Sequence, residues 1–250
     1  MFRSIVMSAC LAGLGAGVVL TAVQQPTVAP IILAAEIYET AAVPTLAHQH
    51  GDSHEHGAVH QPAHAEASLS TTHADDSAAT WAPEDGLQRT FWSLLTNISA
   101  AIGFALLLCA VYTLLPNITA ARGALWGLAG FVVFFANPGI GLHPEIPGAP
   151  SADLFDRQLW WTFAAICSAA AAAAIAWRRT LSTWGAAVAL LVLPHLLGAP
   201  QPQVGADLAP QALAEQFIWA SIFVNAVFWL TLGVSSALIF RSLSSPPRAS

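Results

Sequence analysis

The stretch Ser93-Leu-Leu-Thr-Asn97-Ile-Ser-Ala-Ala-Ile-Gly-Phe-Ala-Leu-Leu-Leu-Cys109-Ala-Val-Tyr-Thr-Leu-Leu115 holds no charged side chain. A helix needs about 20 such residues to cross the ~30 Å hydrocarbon core of a bilayer, so this segment reads as a membrane span. Comparable stretches occur at Ile5–Val23, Ala120–Ala136, Gln158–Trp177, Thr183–Leu197 and Phe217–Phe240. The pattern predicts an all-α integral membrane protein with six transmembrane helices. Composition agrees: 9% of residues are charged, 56% are hydrophobic and lysine is absent. Soluble domains carry about 25% charged residues, so a soluble globular enzyme is excluded. The net charge of −6 says little about partners beside the placement of the charges.

That placement sets the orientation. Arg3, Arg122, Arg178, Arg179, Arg241 and Arg248 fall at the N-terminus, in the short turns or in the C-terminal tail. Arg89 and Arg157 fall on the other side, where all fourteen acidic residues also lie. Positive residues stay cytoplasmic, which predicts cytoplasmic termini. Four regions follow: residues 1–40, the first transmembrane helix and its acidic extension; 41–80, a loop; 81–240, a five-helix membrane domain; and 241–250, a cytoplasmic tail. Trp92, Trp160, Trp161 and Trp219 at outer span ends, with Trp126, Trp177 and Trp184 at inner ends, fit the aromatic belts of a membrane protein. Cys10, Cys109 and Cys167 lie in apolar segments and read as buried small hydrophobes.

The first segment has two readings. Arg3, an apolar stretch and small residues near Thr21–Ala22 resemble a secretory signal. An uncleaved helix is preferred, with Gly13, Gly15 and Gly17 as a close-packing face. A weak internal repeat is also visible. Arg89-Thr-Phe-Trp92 and Arg157-Gln-Leu-Trp160 each open a long span, and each following span is short and broken by proline at its outer end, Pro138 or Pro194. Paired hairpins with proline-interrupted members mark binding regions in transporters.

Between His48 and His73 the chain places seven of its nine histidines, mixed with Asp52, Glu55 and Glu66. Neutral imidazole beside carboxylate suits divalent zinc, nickel and cobalt. His48, His50, His54, His56, His60, His64 and His73 have irregular spacing, unlike a structural zinc site with its four fixed ligands. The tract therefore reads as a low-specificity collector of metal ions on a disordered outer loop. It has no aromatic residue to offset the entropy of ordering. A solvated low-complexity linker is the other reading.

Three further places could carry chemistry within the apolar region. Glu36 and Glu39 stand three apart on one helical face, and carboxylates there need a cation, a proton or water. The run Asn137-Pro-Gly-Ile-Gly-Leu-His143-Pro-Glu145-Ile-Pro-Gly148 is too rich in proline and glycine for a continuing helix. His143 and Glu145 hang from it as candidate ligands, or the run is a rigid outer turn. His195, after Pro194 in an apolar span, is either a packing residue or a ligand along a metal path. Asn97 and Asn225 read as interhelical hydrogen-bonding residues. The chain lacks a phosphate-binding Gly-rich loop, a His-Glu-x-x-His helix and a Gly-x-Ser-x-Gly elbow. No enzymatic activity and no nucleic-acid partner are expected.

At these residues the chain resembles the probable cobalt transporter subunit family, CbtA. The likeness is carried by Pro30-Ile-Ile-Leu-Ala-Ala-Glu36-Ile-Tyr38-Glu39, by Trp81-Ala-Pro-Glu-Asp85-Gly86-Leu-Gln-Arg89-Thr90 and by Pro138-Gly-Ile-Gly-Leu-His143-Pro-Glu145-Ile-Pro-Gly148. Arg157-Gln-Leu-Trp160-Trp161 and Pro194-His195-Leu-Leu-Gly198-Ala-Pro200-Gln-Pro202 complete it. It implies a bacterial inner-membrane protein linked to cobalt uptake for cobalamin synthesis. It also implies a small single-span, histidine-bearing partner subunit (CbtB-like). The leading expectation is a divalent-cation transport subunit. Metal, cobalt first and nickel or zinc as alternatives, is captured by the loop and passes Glu36, Glu39 and Glu145 toward His195. No tightly bound cofactor is expected, only the transported ion. The rival is a non-transporting membrane scaffold that delivers ions to a partner permease.

Overall fold

In the computed structural model the described residues are 2–49, 83–202 and 208–244, with side chains of the second helix described through residue 41. They form α1 (Phe2–Thr27), α2 (Ala29–Gln49), α3 (Leu87–Thr113), α4 (Ala120–Phe131), a π turn (Val132–Ala136), α5 (Asn137–Gly141), α6 (Leu154–Trp177), α7 (Leu181–Leu197) and α8 (Gln211–Ser244). Strands are absent among the described residues. α1, α3, the continuous run Ala120–Gly141, α6 and α8 are each long and apolar enough to cross a membrane, and α7 is apolar but shorter, at 17 residues. The protein is an all-α, multi-pass membrane protein.

Contacts at the two ends show how the helices alternate. At one end Ser4 Oγ donates to the Leu243 carbonyl at 3.3 Å, and the Tyr112 ring meets Phe240 at 6.0 Å. At the other, Trp160 Nε1 at the start of α6 donates to the Pro194 carbonyl near the end of α7, at 3.3 Å. Thus α7 runs back along α6, and the five long apolar helices and the shorter α7 follow the order of the apolar stretches in the sequence. α7 has a length of about 26 Å. The turns are started locally: Thr119, Asp153 and Thr180 cap α4, α6 and α7 by accepting from the backbone N–H of Arg122, Phe155 and Thr183.

α8 is the centre of the bundle, with α1, α3 and α4 packed on it and α6 paired with α7. The core joins Ala9, Ala12 and Ala16 of α1 to Ala105 and Leu108 of α3 and to Phe228, Trp229 and Leu232 of α8. Trp229 stacks on Phe134 with ring centroids 5.6 Å apart and meets Phe104 at 4.8 Å. Helices in lipid gain little from hydrophobic exclusion, so close backbone approach through small residues takes its place. Gly13 and Gly17 provide this on α1, where an added Cβ would lie 2.6 Å from backbone atoms of Ile102 and Ile98. Gly15 faces open space, so the expected three-glycine face reduces to two, spaced one helical turn apart. The same device holds α4 on α8. An added Cβ on Gly123 or Gly127 would clash with the carbonyl oxygen of Gly233 or Trp229.

Several expectations need correction. The helix expected to end at Ala136 continues through Pro138 to Gly141. Proline lacks the donor for an ordinary helical bond, but the π turn shifts the register first, and the Asn137 N–H bonds Val132 O, five residues back. Pro194 lies inside α7, which ends at Leu197 as the span read from sequence does. Trp160 is buried and hydrogen-bonded, so it does not belong to the outer aromatic belt. Asn97 bonds across helices as expected, donating to Thr21 Oγ1 at 3.0 Å and Gln24 Oε1 at 2.6 Å on α1. Asn225 turns back on its own helix to Ser221 O. Cys109 and Cys167 are buried, whereas Cys10 is exposed on the outer face of α1. The two hairpins of the sequence repeat do not pack alike: α6 lies on α7, but α3 lies on α1 and α4 on α8.

Gly127→Ala places a methyl group against backbone that cannot turn aside, and overpacking of this kind costs about 1–3 kcal/mol. Gly15→Ala meets open space and gains helix propensity. Thermal unfolding in detergent should therefore fall for Gly127→Ala and hold or rise for Gly15→Ala. Equal melting of the two variants contradicts the packing described.

Candidate functional site

The polar residues of the outer end gather where α2 crosses the bundle. Ala35 of α2 is buried with Ile146 and Ala209, so α2 is pinned between the Pro/Gly loop after α5 and the start of α8. This pinning points the next residue, Glu36, at α3. Its carboxylate meets the Arg89 guanidinium at two points: Oε2 accepts from Nη1 at 3.1 Å and Oε1 accepts from Nη2. Arg89 Nη1 also donates to Asp85 Oδ1, one turn earlier, at 2.8 Å. Glu39 is exposed beside Gly148, where an added Cβ would lie 3.5 Å from the Glu39 Cβ. The two carboxylates thus share a helix face but diverge, one to α3 and one to the loop.

A polar seam leads inward from this pair. Gln25 Nε2 donates to Thr90 Oγ1 at 3.1 Å, and two turns further along α3 Asn97 Nδ2 bonds Gln24 and Thr21. The seam ends where Gly17 packs on Ile98.

A second outer group lies between the Pro/Gly loop and α6. Glu145 Oε2 lies 3.0 Å from Arg157 Nη2. His143, Glu145 and Arg157 line a cavity of about 680 Å³ whose other walls include Phe134 and Trp161. Arg89 and Arg157, the two arginines of the acid-rich side, therefore each pair with one of the acids proposed from sequence. A bidentate arginine gives a carboxylate a strong partner, so a metal ion reaching Glu36 or Glu145 must compete with a guanidinium already in place.

His195 lies apart from these pairs. Its Nε2 is 3.2 Å from Asn137 Oδ1, and its ring stands edge-on to Trp160 with centroids 5.7 Å apart. Asn137 Nδ2 donates to Ser168 Oγ at 2.8 Å, and Ser168 Oγ donates to the Ala164 carbonyl at 2.7 Å. Asn137 and Ser168 are buried, whereas His195 is half-buried. The link joins the residue before Pro138 to the residue after Pro194, which fastens the two proline-bearing helix segments together.

Among the described residues, the candidate ligands Glu36, Glu39, His143, Glu145 and His195 form no common group. His50, His54, His56, His60, His64 and His73 lie outside the described residues, as does the side chain of His48. Among the described residues no three of the histidine, cysteine and acidic side chains form a group able to hold a metal ion. Sequence reasoning passed over Arg89, Arg157, Asn137 and Ser168. The two arginines were legible as the exceptions in an otherwise acidic side. Asn137 and Ser168 gave no signal, because a single polar residue in an apolar run does not announce its partner.

Residues 2–241 match the model of a family described as "Probable cobalt transporter subunit (CbtA)". The match takes in nearly the whole chain, and the chain belongs to this family. Comparison with curated proteins and with solved structures returned no match.

The ion pair predicts an asymmetry. Glu36→Gln leaves Arg89 held by Asp85, and the pair is about one-third exposed, so stability should change by no more than about 1 kcal/mol. Arg89→Gln leaves the Glu36 carboxylate half-buried without its guanidinium and should lower the melting temperature further. Identical melting of the two variants contradicts the pairing as a structural contact.

Proposed function

We propose that this member of the CbtA family is a divalent-cation transport subunit of the bacterial inner membrane with cobalt as its cargo. In this reading the outer histidine tract, His48 to His73, captures the ion. Glu36, Glu39, His143 and Glu145 receive it at the outer end of the bundle, and His195 takes it deeper. The observation that carries the reading is the polar chain from His195 through Asn137 to Ser168, set among apolar helices. Polar side chains within a membrane bundle are costly and are retained at ion pathways and proton relays. The excess of arginine at the inner end supports cytoplasmic termini and an outward-facing histidine tract.

Passage past the carboxylates is an exchange of partners. The Arg89 and Arg157 guanidiniums neutralise Glu36 and Glu145 in the absence of metal, and an arriving divalent cation takes over those oxygens. Such a site favours loose, reversible capture, which suits conduction better than storage. The rival reading, a scaffold that presents metal to a partner permease, draws on the same arginine pairs and on the lack of a three-ligand group among the described residues. The word subunit in the family's description agrees with a partner chain under either reading, and a small single-span histidine-bearing subunit is the partner expected.

Uptake of radiolabelled cobalt, nickel and zinc by cells expressing the chain alone separates the two readings. A transporter raises accumulation without its partner, and a scaffold does not. Removing residues 47–75 should lower uptake at scarce cobalt and spare it at abundant cobalt; equal loss at both would make the tract structural. Capture by the tract should also weaken as pH falls through ~6.5, because protonated imidazole cannot ligate. The Glu36→Gln, Glu39→Gln double variant should abolish accumulation at matched expression, and normal accumulation would remove both carboxylates from the path.

A further inference from the structure

The hydrogen bonds around His195 have a direction, and that direction fixes which ring nitrogen is free. Ser168 has one hydroxyl proton, and Oγ donates it to the Ala164 carbonyl at 2.7 Å. The Ser168 oxygen therefore receives a proton from Asn137, which must turn its amide nitrogen toward it, at 2.8 Å. The amide oxygen of Asn137 is then the atom that faces His195 Nε2, at 3.2 Å. An amide oxygen only accepts, so Nε2 carries the proton. In neutral imidazole the other nitrogen, Nδ1, is left with an open lone pair.

We infer that Asn137 and Ser168 are positioning residues that hold His195 as the Nε2–H tautomer, so that Nδ1 is the atom presented to a divalent cation. The inference rests on the reading of His195 as a path ligand and adds the atom that ligates and the residues that prepare it. Metal-binding histidines commonly donate their second ring N–H to a carbonyl or carboxylate, which fixes ring orientation and raises ligand basicity. Here Asn137 supplies that acceptor, and Ser168 keeps the amide from turning over. Trp160 completes the clamp: its Nε1–H is tied to the Pro194 carbonyl and its ring stands against the imidazole edge. The π turn leads directly into the helix that holds Asn137 and Pro138, so Asn137 keeps its place within a continuous helical run. A histidine held only for packing has no need of a tautomer fixed by two buried polar residues from two other helices.

The test is nitrogen-15 NMR of histidine-labelled full-length protein at pH 8, with the His195 signals assigned by their loss in His195→Gln. The expected spectrum has Nε2 protonated and Nδ1 bare, and Co2+ added alone should broaden the His195 Nδ1 signal. A protonated Nδ1 in the metal-free protein overturns the inference, as does a His195 signal indifferent to Co2+. Asn137→Asp keeps an acceptor for Nε2–H and should retain both signatures. Asn137→Leu and Ser168→Ala free the tautomer and should raise the Co2+ concentration for half-broadening by about 10–100-fold. Unchanged half-broadening in a folded Ser168→Ala protein also overturns it, so the inference stands even if Asn137→Leu fails to fold. If the spectral signatures hold while cells expressing the chain accumulate no cobalt, transport is wrong and the ligand assignment survives.

Discussion

Hydrocarbon offers no water to complete a hydrogen bond, and this protein is arranged around that constraint. Polar groups within the bundle are expected to find partners in the chain itself, and among the buried side chains of the described residues Ser8 Oγ alone has none. Pro138 and Pro194 both remove a backbone donor from a helix that nevertheless continues. At the first, the π turn moves the bonding register so that Asn137 bonds Val132 O. At the second, α7 ends three residues later, and the Pro194 carbonyl, left open in the last turn, accepts from Trp160. The side chains next to the two prolines then meet as the Asn137–His195 contact. Beside the two prolines a histidine, an amide and a hydroxyl thus come together among apolar helices.

The charged residues follow a related rule. Carboxylates near the membrane are tolerated where a cation stands beside them, and the arginines of the acid-rich end supply it at Glu36 and Glu145. The result is an outer end with little uncompensated charge around these two acids. In the proposed reading an incoming divalent ion exchanges with the arginines at these acids, whereas His195 faces a neutral amide. The gradient from charged, competed ligands to a neutral, oriented one is the physical basis of the transport reading.

Much of the fold was legible in the sequence. Apolar length located the membrane helices, and small residues on α1 pointed to close packing. What sequence missed was tertiary. Pro138 and Gly139 read as a helix end because local propensity has no knowledge of a π turn three residues earlier. Trp160 read as an interfacial anchor because its position does not reveal the Pro194 carbonyl waiting for it. The acids at Glu36 and Glu145 were legible as candidates, but their arginine partners lie on other helices, and the two ends of each pair share no sequence spacing. From sequence Asn137 reads as the start of a Pro/Gly-rich turn, whereas in the fold it joins His195 to Ser168. The histidine tract, the most conspicuous feature of the chain, carries a compositional argument alone.

The central claim is that this chain conducts cobalt through a path that includes His195. Purified protein in sealed vesicles, with Co2+ entry followed by a dye trapped inside, tests it without partner or metabolism. Entry should be faster than in empty vesicles and should fall sharply in His195→Gln at equal reconstitution. Entry at the parental rate in that variant, or none above empty vesicles in the parental protein, would contradict the account.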